Sequence, residues 1–137
     1  MATTSPADAL EQVPLLSELT QRDRRRLAKT MKERTFPAGR KVVVEGRNGV
    51  GFFIIADGTA AVSIGNEVIK MLGPGDYFGE MALLHGGERS ATVTADSELH
   101  CLTITSWGFK SFVQEHPQVA WALLQTLAQR VQENAAR

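Results

Sequence analysis

Between Phe36 and Thr105 the chain repeats one pattern, a short apolar run followed by a turn. KVVVEG, FFIIADG, TAAVSIG, NEVIKMLGPGD, RSATVTAD and ELHCLTIT follow one another, each of strand length. Repeated short strands with glycine turns between them predict a β-sandwich or a jelly-roll barrel. In ATVTA the alternation puts Ala91, Val93 and Ala95 on one face. In LHCLTIT both registers fit, so no faces are assigned there.

Both ends read as helix. Thr20, with Asp23 three residues later, opens LTQRDRRRLAKTM as a capping-box-like start, Asp standing in for the usual Glu or Gln. Leu19, Leu27 and Met31 share a buried stripe, and Arg22, Arg24, Arg25, Arg26 and Lys29 face water as a solvated surface. Pro37 and Gly39 break the helix. After the strands, Ser106 is placed to cap WGFKSFVQE, and Pro117 suits the first turn of the next helix. That last helix carries Val119, Leu123, Leu127 and Val131 at i+4 steps, a stripe that fits either the chain's own strands or a partner helix. The expected fold is mainly β with flanking helices (α+β), a jelly roll in one domain, 1–137. An N-terminal helical segment occupies 1–31, the β-roll 32–105 and two C-terminal helices 106–137.

Composition narrows the class. The 137 residues carry 15 basic and 15 acidic side chains, a balance at odds with a surface built to grip a nucleic acid backbone. Neither a membrane-length apolar run nor the charged start and apolar stretch of a signal peptide is present, so no membrane association is expected and a cytoplasmic location is. The single cysteine, Cys101, reads as a small buried hydrophobe. His85, His100 and His116 do not have metal-ligand spacing, and no nucleophile–base pair stands out, so neither a metalloenzyme nor any other enzyme is expected. MATTSPADAL reads as a natural N-terminus.

One stretch departs from the pattern. FGEMALLHGGERSATV, Phe78 to Val93, is mostly small or apolar, yet Glu80 stands near its front and Arg89 and Ser90 near its back. FGEMALL can form one short helical turn starting near Gly79, whose free N–H groups and partial positive charge favour a phosphate. The planar donors of Arg89 match two phosphate oxygens, and Ser90 adds a hydroxyl. A carboxylate repels phosphate, so Glu80 makes sense as the acceptor for a neighbouring hydroxyl, such as a ribose 2′-OH. Together these groups suit a small nucleotide. The alternative from residue types alone is a buried Glu80–Arg89 ion pair on a structural turn.

FGEMALLHGGERSATV resembles the phosphate-binding cassette (78–93) of the cyclic nucleotide-binding domain family, roughly F-G-E-[LIM]-A-L, a short turn, then R-[SAT]-A-T-V. The resemblance runs from about Pro14 to Glu133 and takes in FFIIADGTAAVSI and MLGPGDYFGE. It implies that Glu80 takes the ribose 2′-OH and Arg89 the cyclic phosphate. The N–H groups of Met81, Ala82 and Ala91 with the Ser90 hydroxyl complete the cradle, and Gly79 lets the backbone approach the ribose. Val62 and Ile69 resemble base-pocket positions, for which plain core packing is the alternative. Serine after the arginine leans towards cAMP, with cGMP the second choice. Arg130, Asn134 and Trp121 on the last helix are lid candidates by the same resemblance, each with an exposed or core-packed alternative.

The implied function is a regulatory sensor without a cofactor, in which cyclic nucleotide shifts the cassette and the C-terminal helices against an unidentified effector protein. The last helix also resembles the dimerising helix of bacterial regulators in the family, implying a homodimer. The helix-turn-helix of those regulators does not follow, so no direct nucleic acid binding is expected. The chain reads as a stand-alone sensor or a piece of a larger protein. The competing expectation is a degenerate copy of the fold that scaffolds proteins without ligand.

Overall fold

The computed structural model describes residues 5–135 apart from residue 86. Among these residues, helices α1 (Pro6–Glu11) and α2 (Gln21–Thr30) precede eight strands, and helices α3 (Ser106–Glu115) and α4 (Pro117–Ala135) follow them. The strands are β1 (Lys32–Phe36), β2 (Lys41–Val43), β3 (Gly51–Asp57), β4 (Ala60–Ile64), β5 (Glu67–Leu72), β6 (Tyr77–Phe78), β7 (Thr92–Ala95) and β8 (Leu99–Thr105). They form two four-stranded sheets, β1-β8-β3-β6 and β2-β7-β4-β5, and every pairing is antiparallel. This is the mainly β jelly roll with flanking helices that the sequence predicts.

The central strands β8 and β3 of the first sheet are apolar on both faces, and that explains why LHCLTIT resisted assignment. In β8, Leu99 and Cys101 pack inside the roll, while Leu102 and Ile104 pack with the helices. In β3, Phe53 and Ile55 join the roll interior, and Phe52 and Ile54 join a second core built with Leu10, Leu27, Phe109 and Leu123. Alternation still places the side chains, but the polarity contrast that would reveal it is gone. Burial raises the pKa of the Cys101 thiol to about 12, as suits a packed thiol.

Local details differ from the sequence reading in physical ways. Thr20 caps α2, its hydroxyl accepting from the Asp23 N–H at 3.1 Å. The Asp23 carboxylate accepts from Gln118 at 3.2 Å, tying α2 to α4. Arg24 and Arg26 are not purely solvated: Arg24 donates to the Ser17 and Leu19 carbonyls, and Arg26 lies 3.8 Å from Asp23. Thr105, not Ser106, caps α3, with its hydroxyl 3.2 Å from the Gly108 N–H. Strand β1 (KERTF) was hidden by its charge: only Phe36 is buried, and the rest is the exposed, polar edge that protects a sheet from further pairing.

Gly58 joins β3 to β4 with φ +89°, and a Cβ there would collide with the Glu98 carbonyl oxygen. Gly65, at φ +62°, has open space around it. Gly58→Ala should therefore lose more stability than the roughly 1–3 kcal/mol of backbone strain that applies to Gly65→Ala as well. Urea midpoints at constant m-value measure the difference.

Candidate functional site

A cavity of about 360 Å³ opens between the cassette and the second sheet, within the ~300–1,000 Å³ typical of small-molecule sites. Val43, Val62, Leu72 and Val93 supply an apolar wall from the roll, and Lys70 is the cation on that side. Facing them are Gly79, Glu80, Met81 and Ala82 from the cassette's turn and Arg89, Ser90 and Ala91 from its return leg. Eight of the nine ligand residues expected from sequence are thus gathered on one cavity.

Ile69 is the exception. It is 55% exposed and absent from the wall, whereas Lys70 and Leu72 line it. Side chains alternate along β5, so the inward set is Lys70 and Leu72, one residue out of step with the expectation. A register shift between Val62 and Ser63 in the β4–β5 ladder accompanies the change.

The short turn expected at FGEMALL is a 3-10 turn over Glu80–Leu83, and Gly79 before it adopts φ +80°. The Ala82 N–H is already engaged, donating to the Gly79 carbonyl at 3.0 Å. Tyr77 packs towards the helices and Phe78 towards the roll, where it stacks on Phe53 at 4.9 Å. Leu83 continues into the helical core. The cassette therefore enters both cores within six residues of chain, Phe78 to Leu83.

Glu80 and Arg89 do not form the ion pair that residue types alone allowed. Arg89 Nη2 donates to the Gly51 carbonyl at 2.8 Å, and the ion pairs among the described residues include neither side chain. Three polar side-chain atoms here are buried without a partner: Glu80 Oε2, Arg89 Nε and Arg130 Nη1. Burial raises the Glu80 pKa above the usual carboxylate range, partly offset by the nearby Arg130 charge. Burial also lowers the Arg89 pKa from its usual value. Tyr77 is raised by burial and by Glu80 beside it, with Arg130 opposing.

A carboxylate acceptor and a guanidinium donor, each left wanting and held apart on one cavity, fit a ligand that carries both a hydroxyl and an anionic group. Of the lid candidates, Arg130 is half-buried and within electrostatic reach of Glu80. Trp121 is 65% exposed and does not cover the cavity. The Asn134 side chain lies outside the described residues. The loop between β2 and β3 was missed altogether. Gly46, Asn48 and Gly49 pair with the cassette's return leg, and the only sequence signal was the run of glycines in EGRNGVG.

Residues 33–116 match the family model for the cyclic nucleotide-binding domain. The chain belongs to that family. Among relatives of the cyclic nucleotide-binding domain, it is 42% identical over 104 residues to a cAMP-dependent protein kinase regulatory subunit from Eremothecium gossypii, covering 75% of this chain and 23% of that one. The chain thus spans about a quarter of the length of that curated relative. The N-terminal domain of a transcriptional regulator from Streptomyces coelicolor superposes with TM-score 0.84 at 26% identity, covering 94% of both chains. The cAMP-bound PfPKA-R structure superposes with TM-score 0.66 at 30% identity, covering 87% of this chain and 45% of that one.

The raised Glu80 pKa makes a signed prediction for this member of the cyclic nucleotide-binding family. Below the ordinary Glu range the residue is protonated whether folded or unfolded and has no pH-linked effect. As pH rises through that range to the raised folded value, ionisation increasingly destabilises the unliganded fold. Glu80→Gln without ligand should melt close to wild type at pH 4 and above it at pH 7–8. Thermal melts across that range measure the gap, and one that fails to widen as pH rises counts against a strained Glu80.

Proposed function

We propose that this chain senses a purine cyclic nucleotide, cAMP in preference to cGMP, and acts as a regulatory module with neither catalysis nor a cofactor of its own. The observation that carries the reading is the pair of unpartnered groups, Glu80 Oε2 and Arg89 Nε, on one nucleotide-sized cavity in a cyclic nucleotide-binding domain. Arg89 takes the cyclic phosphate, Glu80 the ribose hydroxyl, and the valine and leucine wall with Lys70 meets the base. The preference for cAMP rests on Ser90 and on the cAMP named for the relatives.

Ligand output runs through the cassette turn. Leu83 sits in the same core as Phe109, Val119 and Leu123, so a shift of the turn on binding disturbs the packing of α3 and α4. The ligand moves this equilibrium only by its difference in affinity between the two arrangements. The effector is a polypeptide partner; a kinase catalytic subunit is one class, given the regulatory subunits among the relatives. The setting is cytoplasmic.

A homodimer through α4 belongs to the same proposal, but of the stripe read in the sequence only Val131 is left for a partner. Val119 and Leu123 are buried against the chain's own core, and Leu127 packs beside them. Trp121, Leu124 and Val131 are 65%, 59% and 67% exposed, and these are the side chains a partner helix would cover. The prediction is that Leu124→Glu lowers any concentration-dependent dimer without lowering cyclic nucleotide affinity.

Calorimetric titration with cAMP and cGMP tests the assignment. At 100 times the dissociation constant, cAMP should raise the melting temperature by roughly 10 °C. Arg89→Ala should weaken binding by roughly 30-fold or more, as expected when one partner of a buried charge pair is removed. An unchanged cAMP affinity in Arg89→Ala, or no binding of either nucleotide to the wild-type protein, would sink the reading in favour of a ligand-free scaffold.

A further inference from the structure

The guanidinium of Arg89 is held by an unusual set of contacts. Among the described residues no carboxylate lies within ion-pair distance of it. A Cβ on Gly49 would collide with its Nε and lie 2.5 Å from both Cζ and Nη2. On another side, a Cβ on Gly79 would come within 2.6 Å of Nη1. The Gly51 carbonyl accepts from Nη2 at 2.8 Å. The group occupies a slot that exists because two side chains are missing, closed by one backbone carbonyl.

The slot is fixed to the chain that carries Arg89. The Arg89 N–H donates to the Arg47 carbonyl at 2.8 Å, and the Arg89 carbonyl accepts from the Gly46 N–H at 2.9 Å. The Gly49 N–H donates to the Gly87 carbonyl at 3.1 Å. The β2–β3 loop thus grips the backbone of the cassette's return leg and also receives the end of its side chain. A carboxylate in that place would neutralise the guanidinium; a carbonyl dipole orients it and leaves its full charge for an anionic ligand.

We infer that Gly49 is a positioning residue for phosphate recognition: it lines the cavity, but it sets affinity through Arg89, because its missing side chain sets where the guanidinium lies. The inference rests on the cyclic-nucleotide reading of the site. Gly49 is the position that tests it cleanly. Gly79 has a left-handed φ of +80°, so a substitution there also strains the backbone, whereas Gly49 is not among the positive-φ glycines and an alanine there reads the space alone. An added methyl moves the far end of a flexible side chain, so it acts on the position of Arg89 more than on the fold.

A double-mutant cycle read by calorimetry with cAMP gives the test. Gly49→Ala should raise the dissociation constant on the order of tenfold. Gly73→Ala should leave it unchanged, because a Cβ at Gly73 meets nothing within 4 Å. Alanine at position 89 ends at Cβ and removes every atom that overlaps the new methyl, so in an Arg89→Ala chain, weak as its binding is, Gly49→Ala should change affinity less than about twofold. Wild-type affinity in Gly49→Ala overturns the inference, and so does an equal loss in both backgrounds.

If the wild-type chain binds neither cyclic nucleotide, the sensor reading fails while the slot is still tested by melting of the ligand-free proteins. Gly49→Ala should then lower the melting temperature by about 2–5 °C with Arg89 present and not with Arg89→Ala. Equal shifts in the two backgrounds overturn it.

Discussion

Strand β3 is apolar on both faces, and the rest of the molecule is arranged around that fact. Phe53 and Ile55 close the interior of the roll, while Phe52 and Ile54 form the floor on which the helices rest. A sheet buried on one face alone would leave Phe52 and Ile54 in water. Full burial of such side chains contributes about 1.5–3 kcal/mol each, so the helices are required partners of this sheet. The roll and the helices are in consequence one mechanical unit, joined through a single layer of backbone.

The cassette exploits that joint. Tyr77 and Phe78 are neighbours on a two-residue strand, so their side chains go to opposite cores. The turn that follows offers Glu80 to the cavity and sends Leu83 back among the helices. At the far end of the cassette, Arg89 reaches the first residue of β3 through the Gly51 carbonyl. A ligand held by Glu80 and Arg89 would therefore pull on both ends of a segment braced against the shared strand. Packed cores resist continuous deformation, which is why a small displacement at the cavity has a route to α3 and α4.

Much of this was legible in the sequence because the relevant signals are local. Glycine turns between short apolar runs announce a roll, and Thr20 and Pro117 announce helix starts. Glu80, Arg89 and Ser90 stand out because charge and hydroxyl interrupt a small, apolar stretch. What was not legible depended on partners distant in the chain. The charged run of β1 shows itself as a strand only when β8 lies beside it. In β5 the pairing with β4 skips Ile69, and Lys70 rather than Ile69 lines the cavity. Gly49 reads as a turn residue until Arg89, about forty residues further on in sequence, is seen to fill the space it leaves.

The unpartnered atoms of the site follow from the same division of labour. A carboxylate and a guanidinium close together would neutralise one another and stabilise the empty protein, but a ligand would then have to break the pair to bind. Here the two charges line one cavity without forming an ion pair, and the contacts that hold Arg89 come from backbone and from missing side chains. Burial raises the Glu80 pKa and lowers that of Arg89, so each group in its charged form carries a desolvation cost unless a ligand partners it. A ligand with a hydroxyl at one end and an anionic group at the other would satisfy both groups at once, so relief of that cost becomes part of its binding free energy. Stability withheld from the empty fold is thereby made conditional on the ligand, which is the property a sensor needs.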